Sequence, residues 1–296
     1  MIEEQNMSEP NNNPQRISLT TSDGQALVGL HYQASQPVGV IIVASATGVP
    51  QGFYRKFALE AVARHYDVVT FDYRGIGESA PQSLRGYDMN YRDWGRYDLS
   101  AAIEYAVQTN LPRFLVGHSY GGHALGLAQN HGELSAAYTF GTGAGWHGWM
   151  PKSEQVRVLL LWHIIAPIIV GLKGYLGWSI LGMGEDLPKG VYTQWKRWCG
   201  FPHYFFDDPD TPEMKAQFSQ VRVPITAANA MDDKWAMPAS RDAFMPFYSA
   251  AALRSVDIAP ANAGLDSIGH MGYFRSAASS LWQDTFEFFE RHTPTQ

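Results

Sequence analysis

The chain has one cysteine, Cys199, in 296 residues. A lone thiol cannot build an intrachain disulfide framework, and with no Cys or His partner at ligand spacing it gives no structural zinc site. Cys199 therefore reads as a packed side chain. Cations are scarce as well: 22 Lys and Arg stand against 28 Asp and Glu, a formal net charge of −6, and no basic face is visible. Nucleic acid is thereby excluded as an expected partner. Val158–Leu172 is free of formal charge, but it is shorter than the ~20 residues a bilayer core requires and carries His163 and Pro167. No membrane span is expected; the stretch reads as a buried or cleft-lining helix broken near Pro167. Residues 1–15 open polar, acidic and proline-bearing, with no basic n-region and no apolar h-region. They are expected to be a disordered tail, and cytoplasmic residence is the default expectation. His118 and His123 lack ligand-spaced neighbours, so no metal is expected. Gly141-Thr142-Gly143-Ala144-Gly145 lacks the Lys-Ser ending of a phosphate-binding loop, and no cofactor is expected.

What the chain does have is apolar bulk, 45% hydrophobic residues, enough for one enzyme-sized globule with an insertion. The most informative stretch is Leu115-Val116-Gly117-His118-Ser119-Tyr120-Gly121-Gly122, an apolar strand ending in a serine between two glycines. A strand that turns sharply into a helix strains its corner residue, and side chains two positions either side would collide with the turn. Glycine at 117 and 121 removes those side chains, which is the G-x-S-x-G nucleophile elbow. The following helix N-terminus offers free N–H groups and a positive dipole end to a developing oxyanion.

A serine nucleophile needs a base and a group to orient the base, in this setting in the chain order Ser, Asp or Glu, His. Ser267-Ile268-Gly269-His270-Met271-Gly272 sets His270 in a glycine-flanked loop ahead of a last helix, whose apolar face holds Leu281, Trp282, Phe286 and Phe289. Between them, the strand-like Val221–Ala230 runs into the acidic pair Asp232-Asp233, and one of these should orient His270. Val38–Ala44 reads as a parallel strand covered on both faces, and it opens into Ser45-Ala46-Thr47-Gly48-Val49-Pro50. That loop is the expected source of a second oxyanion N–H, assigned by spacing to Ala46 with Thr47 next; Tyr120, just after the nucleophile, supplies the first. Asp67–Phe71 is another buried strand, and Asp72, Arg74 and Glu78 after it read as structural loop charges. Ile17–Thr21 and Gln25–Gln33 flank Asp23-Gly24, a hairpin signal. Trp94–Gln108 has helical spacing and should pack on the sheet.

These residues carry a family resemblance. Asp72-Tyr73-Arg74-Gly75-Ile76-Gly77-Glu78-Ser79 is similar to the loop after the fourth strand of α/β-hydrolases, Gly117–Gly121 to their elbow, and Gly269-His270 to their histidine loop. Ala46–Gln51 with Phe53-Tyr54-Arg55, Leu187–Val191 with Gln194–Cys199, and Gly269–Arg275 resemble a bacterial subfamily of predicted serine α/β-hydrolases. The resemblance implies an α/β fold: a mostly parallel twisted sheet with helices on both faces, no cofactor, and a Ser119, Asp233, His270 triad. Asp233 is preferred because Asp-Lys-Trp-Ala ahead of a proline resembles the turn common after this strand, with Asp232 as the alternative. The His-Gly pair that often opens the oxyanion loop in the superfamily is replaced here by Ser45-Ala46.

The expected organisation is a core of residues 16–144 and 209–296 interrupted by a helical cap at 145–208, where strand–helix alternation breaks down. Trp146, Trp149, Trp162, Trp178, Trp195 and Trp198 lie in that insertion, and most should build its own core. A cap this apolar should also line part of the cleft, which points to an acyl or aromatic ester of a hydrophobic small molecule. The expected function is therefore serine hydrolysis of a carboxylic ester through an acyl-enzyme. The alternatives are acyl transfer, thioester or peptide cleavage with the same residues, and a non-catalytic ligand receptor on the same fold.

Overall fold

A computed structural model describes residues 13–293. The expected tail lies outside the described residues over 1–12, and its last position, Gln15, already opens the first strand. Eight strands form one sheet: β1 (Gln15–Thr20), β2 (Ala26–Tyr32), β3 (Gly39–Ala44), β4 (Tyr66–Phe71), β5 (Arg113–His118), β6 (Ala136–Phe140), β7 (Ile225–Ala230) and β8 (Leu253–Ile258). Their spatial order is β1-β2-β4-β3-β5-β6-β7-β8. β2 pairs antiparallel with β1 and β4, and every pairing from β4 to β8 is parallel. The hairpin at Asp23-Gly24 is wider than a two-residue turn: Thr21 N–H donates to Gln25 O at 3.0 Å, and Gly24 takes the left-handed φ of 86°.

Burial explains the pattern. All of β3 is buried, and its side chains alternate between two cores, Val40 and Ile42 on one face and Ile41 and Val43 on the other. The first face is covered by Ser100–Val107 and Tyr120–Leu127, the second by Arg55–Ala63 and the last helix, Trp282–Arg291, through Phe57, Ala61, Trp282, Phe286 and Phe289. Trp94–Leu99 is a π-helical lead-in to Ser100–Val107.

The loop charges after β4 are fully engaged. Asp72 accepts from the backbone N–H groups of Gln51 (2.7 Å) and Glu78 (3.0 Å). Arg74 donates to Asp98 (2.7 Å) and Asp23 (2.6 Å), and Glu78 pairs with Arg16. They tie the strand-end loops on which the cleft rests.

Between β6 and β7 the regular elements of the described chain are helical apart from one isolated bridge, Leu176 with Leu187. Its longest element runs unbroken from Lys152 to Lys173, so the expected break at Pro167 does not occur. The reason is local: Leu161–Ile165 is a π-helical turn immediately before Pro167, and widening the helix there removes the clash and the missing hydrogen bond that a proline would impose. Nor is this helix buried all round. Val158, Leu161, Trp162, Ala166 and Val170 face inward, while Leu160, Ile164, Ile168 and Leu172 face outward. By length and composition alone the helix could cross a membrane.

Parallel strands put their carboxyl ends on one edge of the sheet. The loops after β3, β5 and β7 therefore converge there, carrying Thr47, Ser119 and Asp233 respectively.

Candidate active site

Ser119 sits at φ 53°, ψ −109°, a conformation that L-residues rarely adopt and that surrounding structure must enforce. The glycines permit it. A Cβ on Gly121 would lie 2.1 Å from Ala44 O, and one on Gly117 would lie 2.8 Å from the backbone of Gly121 and Gly122. The elbow is held by Ser119 N–H donating to Phe140 O (2.8 Å) and Thr142 Oγ1 donating to Ser119 O (2.9 Å).

Ser119, His270 and Asp233 form one hydrogen-bonded line. Ser119 Oγ lies 2.9 Å from His270 Nε2, and His270 Nδ1 lies 2.8 Å and 3.1 Å from the two oxygens of Asp233. Asp233 is fully buried. Burial alone would raise its pKa, but the charge and hydrogen bond of His270, the Tyr273 hydroxyl and the Ala236 N–H together hold it below the usual carboxylate range. An ionised carboxylate only accepts, so Nδ1 carries the proton and Nε2 is left free to accept the serine proton. Tyr273 O–H donates to Asp233 Oδ2 (3.0 Å) and accepts from Ala230 N–H (2.8 Å). Asp232 does something different: its carboxylate accepts from the backbone N–H groups of Ile268 (2.9 Å) and Gly269 (3.2 Å), bracing the loop that carries His270.

The expected second oxyanion donor is corrected. Ala46 N–H is already spent, donating to the Tyr54 hydroxyl at 2.9 Å. Thr47 N–H and Tyr120 N–H have no partner among the described residues, and both residues line the cavity that holds Ser119. The sequence gives Tyr54 no role of its own and no sign of its link to His118. The Tyr54 hydroxyl is 2.9 Å from His118 Nδ1, and His118 Nε2 is 2.8 Å from the carbonyl oxygen of His270. That carbonyl can only accept, so Nε2 is protonated, Nδ1 accepts, and Tyr54 O–H donates to it. Burial, with a smaller push from the charge of His270, lowers the His118 pKa to about 3 despite the His270 carbonyl and Asp233. His118 is thus a neutral bridge joining the Ser45–Thr47 loop to the backbone of His270. His123 is likewise buried and pushed down to about 4, with Nε2 on Gly143 O at 2.9 Å. Neither histidine is arranged as a metal ligand or second base. Cys199 is buried, and burial pushes its thiol up.

Ser119 opens into a cavity of about 450 Å³. Phe53, Tyr91, Trp178, Trp195, Tyr204 and Trp235 form much of its wall, with Gly141, Gly143 and Gly145 among the other lining residues. Among the described residues, no Lys, Arg, Asp or Glu lines it. The segment 145–208 contributes Gly145, Trp178, Met183, Trp195 and Tyr204 to the wall. Trp195 also packs edge-on to Trp162 and against Trp178, with ring centroids 5.0 Å and 5.5 Å away, so the same indoles that line the cavity build the segment's own core.

The family described as serine aminopeptidase, S33, matches residues 35–163, which include the Ser45–Thr47 loop and the elbow. No curated protein sequence matches the chain. Among solved structures it is similar to a soluble variant of monoglyceride lipase from Saccharomyces cerevisiae in complex with a substrate analogue, at 14% identity and TM-score 0.69 over 99% of this chain and 98% of that one. It is also similar to the α/β-hydrolase GrgF from Penicillium sp. sh18, at 15% identity and TM-score 0.62 over 95% of this chain and 99% of that one. A thermophilic esterase from Thermogutta terrifontis, with malate bound, matches at 14% identity and TM-score 0.59 over 95% of this chain and 100% of that one. At these identities the likeness is one of fold, and it agrees with the strand order and the strand–elbow–helix turn described above. The chain has the α/β-hydrolase fold.

Proposed function

We propose that the protein is a serine hydrolase that cleaves a carboxylic ester of an uncharged, hydrophobic small molecule through an acyl-enzyme. The observation that carries this reading is the Ser119–His270–Asp233 hydrogen-bonded line opening onto an aromatic cavity with no formal charge in its wall. In the first half-reaction His270 Nε2 takes the Ser119 proton as Oγ attacks the acyl carbonyl. The oxyanion is received by the N–H groups of Tyr120 and Thr47, each worth on the order of 10²–10³ in rate if aimed at it. Imidazolium, stabilised by Asp233, then protonates the leaving alcohol. In the second half-reaction His270 deprotonates water, which attacks the acyl-serine and releases the acid. Residues 145–208 act as the cap, closing an apolar wall over the ester.

The lining also weighs against an aminopeptidase. A free substrate ammonium taken out of water needs an anion beside it, and the cavity offers no carboxylate. The lipase and esterase among the similar structures support ester cleavage over amide cleavage.

The test is hydrolysis of a short-chain nitrophenyl ester and of longer acyl esters by wild type and Ser119→Ala, with and without an added alcohol acceptor. The reading expects turnover lost in Ser119→Ala and free acid as the main product. Equal rates in the two proteins would overturn the assignment of Ser119, and preferential formation of the acceptor adduct would make the protein an acyltransferase.

A further inference from the structure

Seven of the nine large apolar side chains exposed among the described residues fall between positions 156 and 180. Five of them, Val156, Leu160, Ile164, Ile168 and Leu172, recur every fourth residue along the helix Lys152–Lys173, with exposures from 47% to 75%. In a plain α-helix that spacing drifts by ~40° per step, and the wider π turn at Leu161–Ile165 takes back part of the drift. The outcome is an apolar stripe along the outer face. It does not stop at the helix end. A Cβ on Gly177 would touch Ile180, Lys173 and Ile169 within 3.2 Å, so exposed Ile180 stands against the helix terminus. Two residues beyond Ile180, Gly182-Met183-Gly184 enters the wall of the Ser119 cavity. The stripe is therefore continuous with the rim of the site.

Cations outnumber acids on this helix. Lys152, Arg157 and Lys173 are its cations; its one acid, Glu154, is buried and paired with Arg157 at 3.5 Å, and Lys173 lies 3.7 Å from Asp186. The side chain of Arg85 adds a further cation at the far end, donating to Leu172 O at 2.9 Å. This positive border lies on a chain whose net charge is −6.

From the stripe, its continuity with the cavity and its positive border, we propose that the outer face of the helix Lys152–Lys173 docks flat on the surface of a lipid bilayer containing anionic lipids. An amphipathic helix edged with cations suits such a surface, where the apolar face enters the acyl boundary and the cations meet phosphate and carboxylate headgroups. The helix lies on the membrane and does not span it, because Val158, Leu161, Trp162, Ala166 and Val170 are already buried against the protein and Trp162 stacks on Trp178 at 6.1 Å. A second copy fits less well: a two-fold interface would set the same cations against themselves. Docking would let an apolar ester pass from the bilayer along Ile180 into the cavity, a consequence that rests on the ester-hydrolase reading, whereas the docking itself does not.

The experiment is vesicle flotation of the full chain with phosphatidylcholine alone and with added phosphatidylserine, alongside light scattering for oligomeric state. Wild type is expected to float, more strongly with phosphatidylserine. The triple variant Leu160→Ser, Ile164→Ser, Ile168→Ser should lose about tenfold or more in partitioning, with unchanged hydrolysis of a soluble short-chain ester. Arg157→Glu should remove the preference for phosphatidylserine. Wild type that stays unbound with both vesicles, or a triple variant that floats equally well, overturns the proposal; so does a wild-type dimer that binds no vesicle and becomes monomeric in the triple variant. Flotation is read without turnover, so a protein that floats yet cleaves no ester retains the docking surface and refutes the ester-hydrolase reading.

Discussion

Replacing Asp233 by asparagine tests the chemistry of the site at the point where the geometry is most restrictive. Asp233 Oδ1 accepts from the N–H groups of Trp235 and Ala236, both at 3.0 Å. An amide nitrogen placed there would face two donors with no acceptor, so the introduced carboxamide must keep its oxygen at that position. Its NH₂ then occupies the place of Oδ2, opposite His270 Nδ1 and the Tyr273 hydroxyl. A donor there forces His270 into the Nε2–H tautomer, which cannot take the Ser119 proton. The expected loss is on the order of 10³–10⁴-fold in kcat with little change in KM. Tyr273 O–H loses its acceptor in a fully buried site, adding about 1–3 kcal/mol of destabilisation. Ester hydrolysis under saturation gives kcat and KM, urea unfolding gives the stability, and ¹⁵N shifts of the His270 ring report the tautomer. Asp232→Asn is the control: it keeps one of its two acceptor contacts to the His270 loop and should cost less than about tenfold in kcat. The reasoning fails if Asp233→Asn keeps more than a tenth of wild-type kcat, or if Asp232→Asn falls as far.

Tyr54→Phe should lower stability by about 2–4 kcal/mol, because Ala46 N–H and His118 Nδ1 both lose their partner where neither meets water. If Tyr54 acts by positioning the oxyanion loop and His270, kcat drops while KM hardly moves; an unchanged kcat would reduce the tyrosine to a structural role. Acid should destabilise the fold through His118 and His123. Their folded pKa values, about 3 and about 4, lie below the unfolded value of 6.5, so the unfolded chain binds protons that the folded one refuses. Their contribution is complete above pH 6.5 and is lost as pH falls toward 4, about 2 kcal/mol for each ring by pH 5. Urea unfolding at pH 7 and 5 should show a decline about 2 kcal/mol smaller in His123→Gln than in wild type, and equal declines would contradict it.

What the sequence discloses here is local chemistry; what it conceals is tertiary. The elbow is legible because its glycines answer a steric demand made by neighbours two residues away, and β3 because a strand covered on both faces is an unbroken apolar run. His270 and the acidic pair are legible because Ser, Asp and His must follow a fixed chain order around a strand-end serine. Spacing ranked Ala46 ahead of Thr47 for the opposite reason: which N–H in the loop stays free depends on the Tyr54 hydroxyl eight residues later, which captures that of Ala46. β6 and β8 left no clear signal. β6 is five residues long, and β8 is an edge strand with most of its side chains exposed or half-exposed. The helix Lys152–Lys173 misled because proline argues for a break, and the π turn that accommodates Pro167 has no local marker. The charge-free stretch Val158–Leu172 within it suggested burial, yet an apolar residue looks the same whether it faces a core or a lipid surface.

The central claim is that Ser119 Oγ is a nucleophile made reactive by His270. Labelling the native protein with a fluorophosphonate and mapping the adduct by mass spectrometry tests it most directly. The label should reside on Ser119 alone and form far more slowly in Asp233→Asn. An adduct on another residue, or steady ester turnover by a protein whose Ser119 never takes the label, would contradict the account.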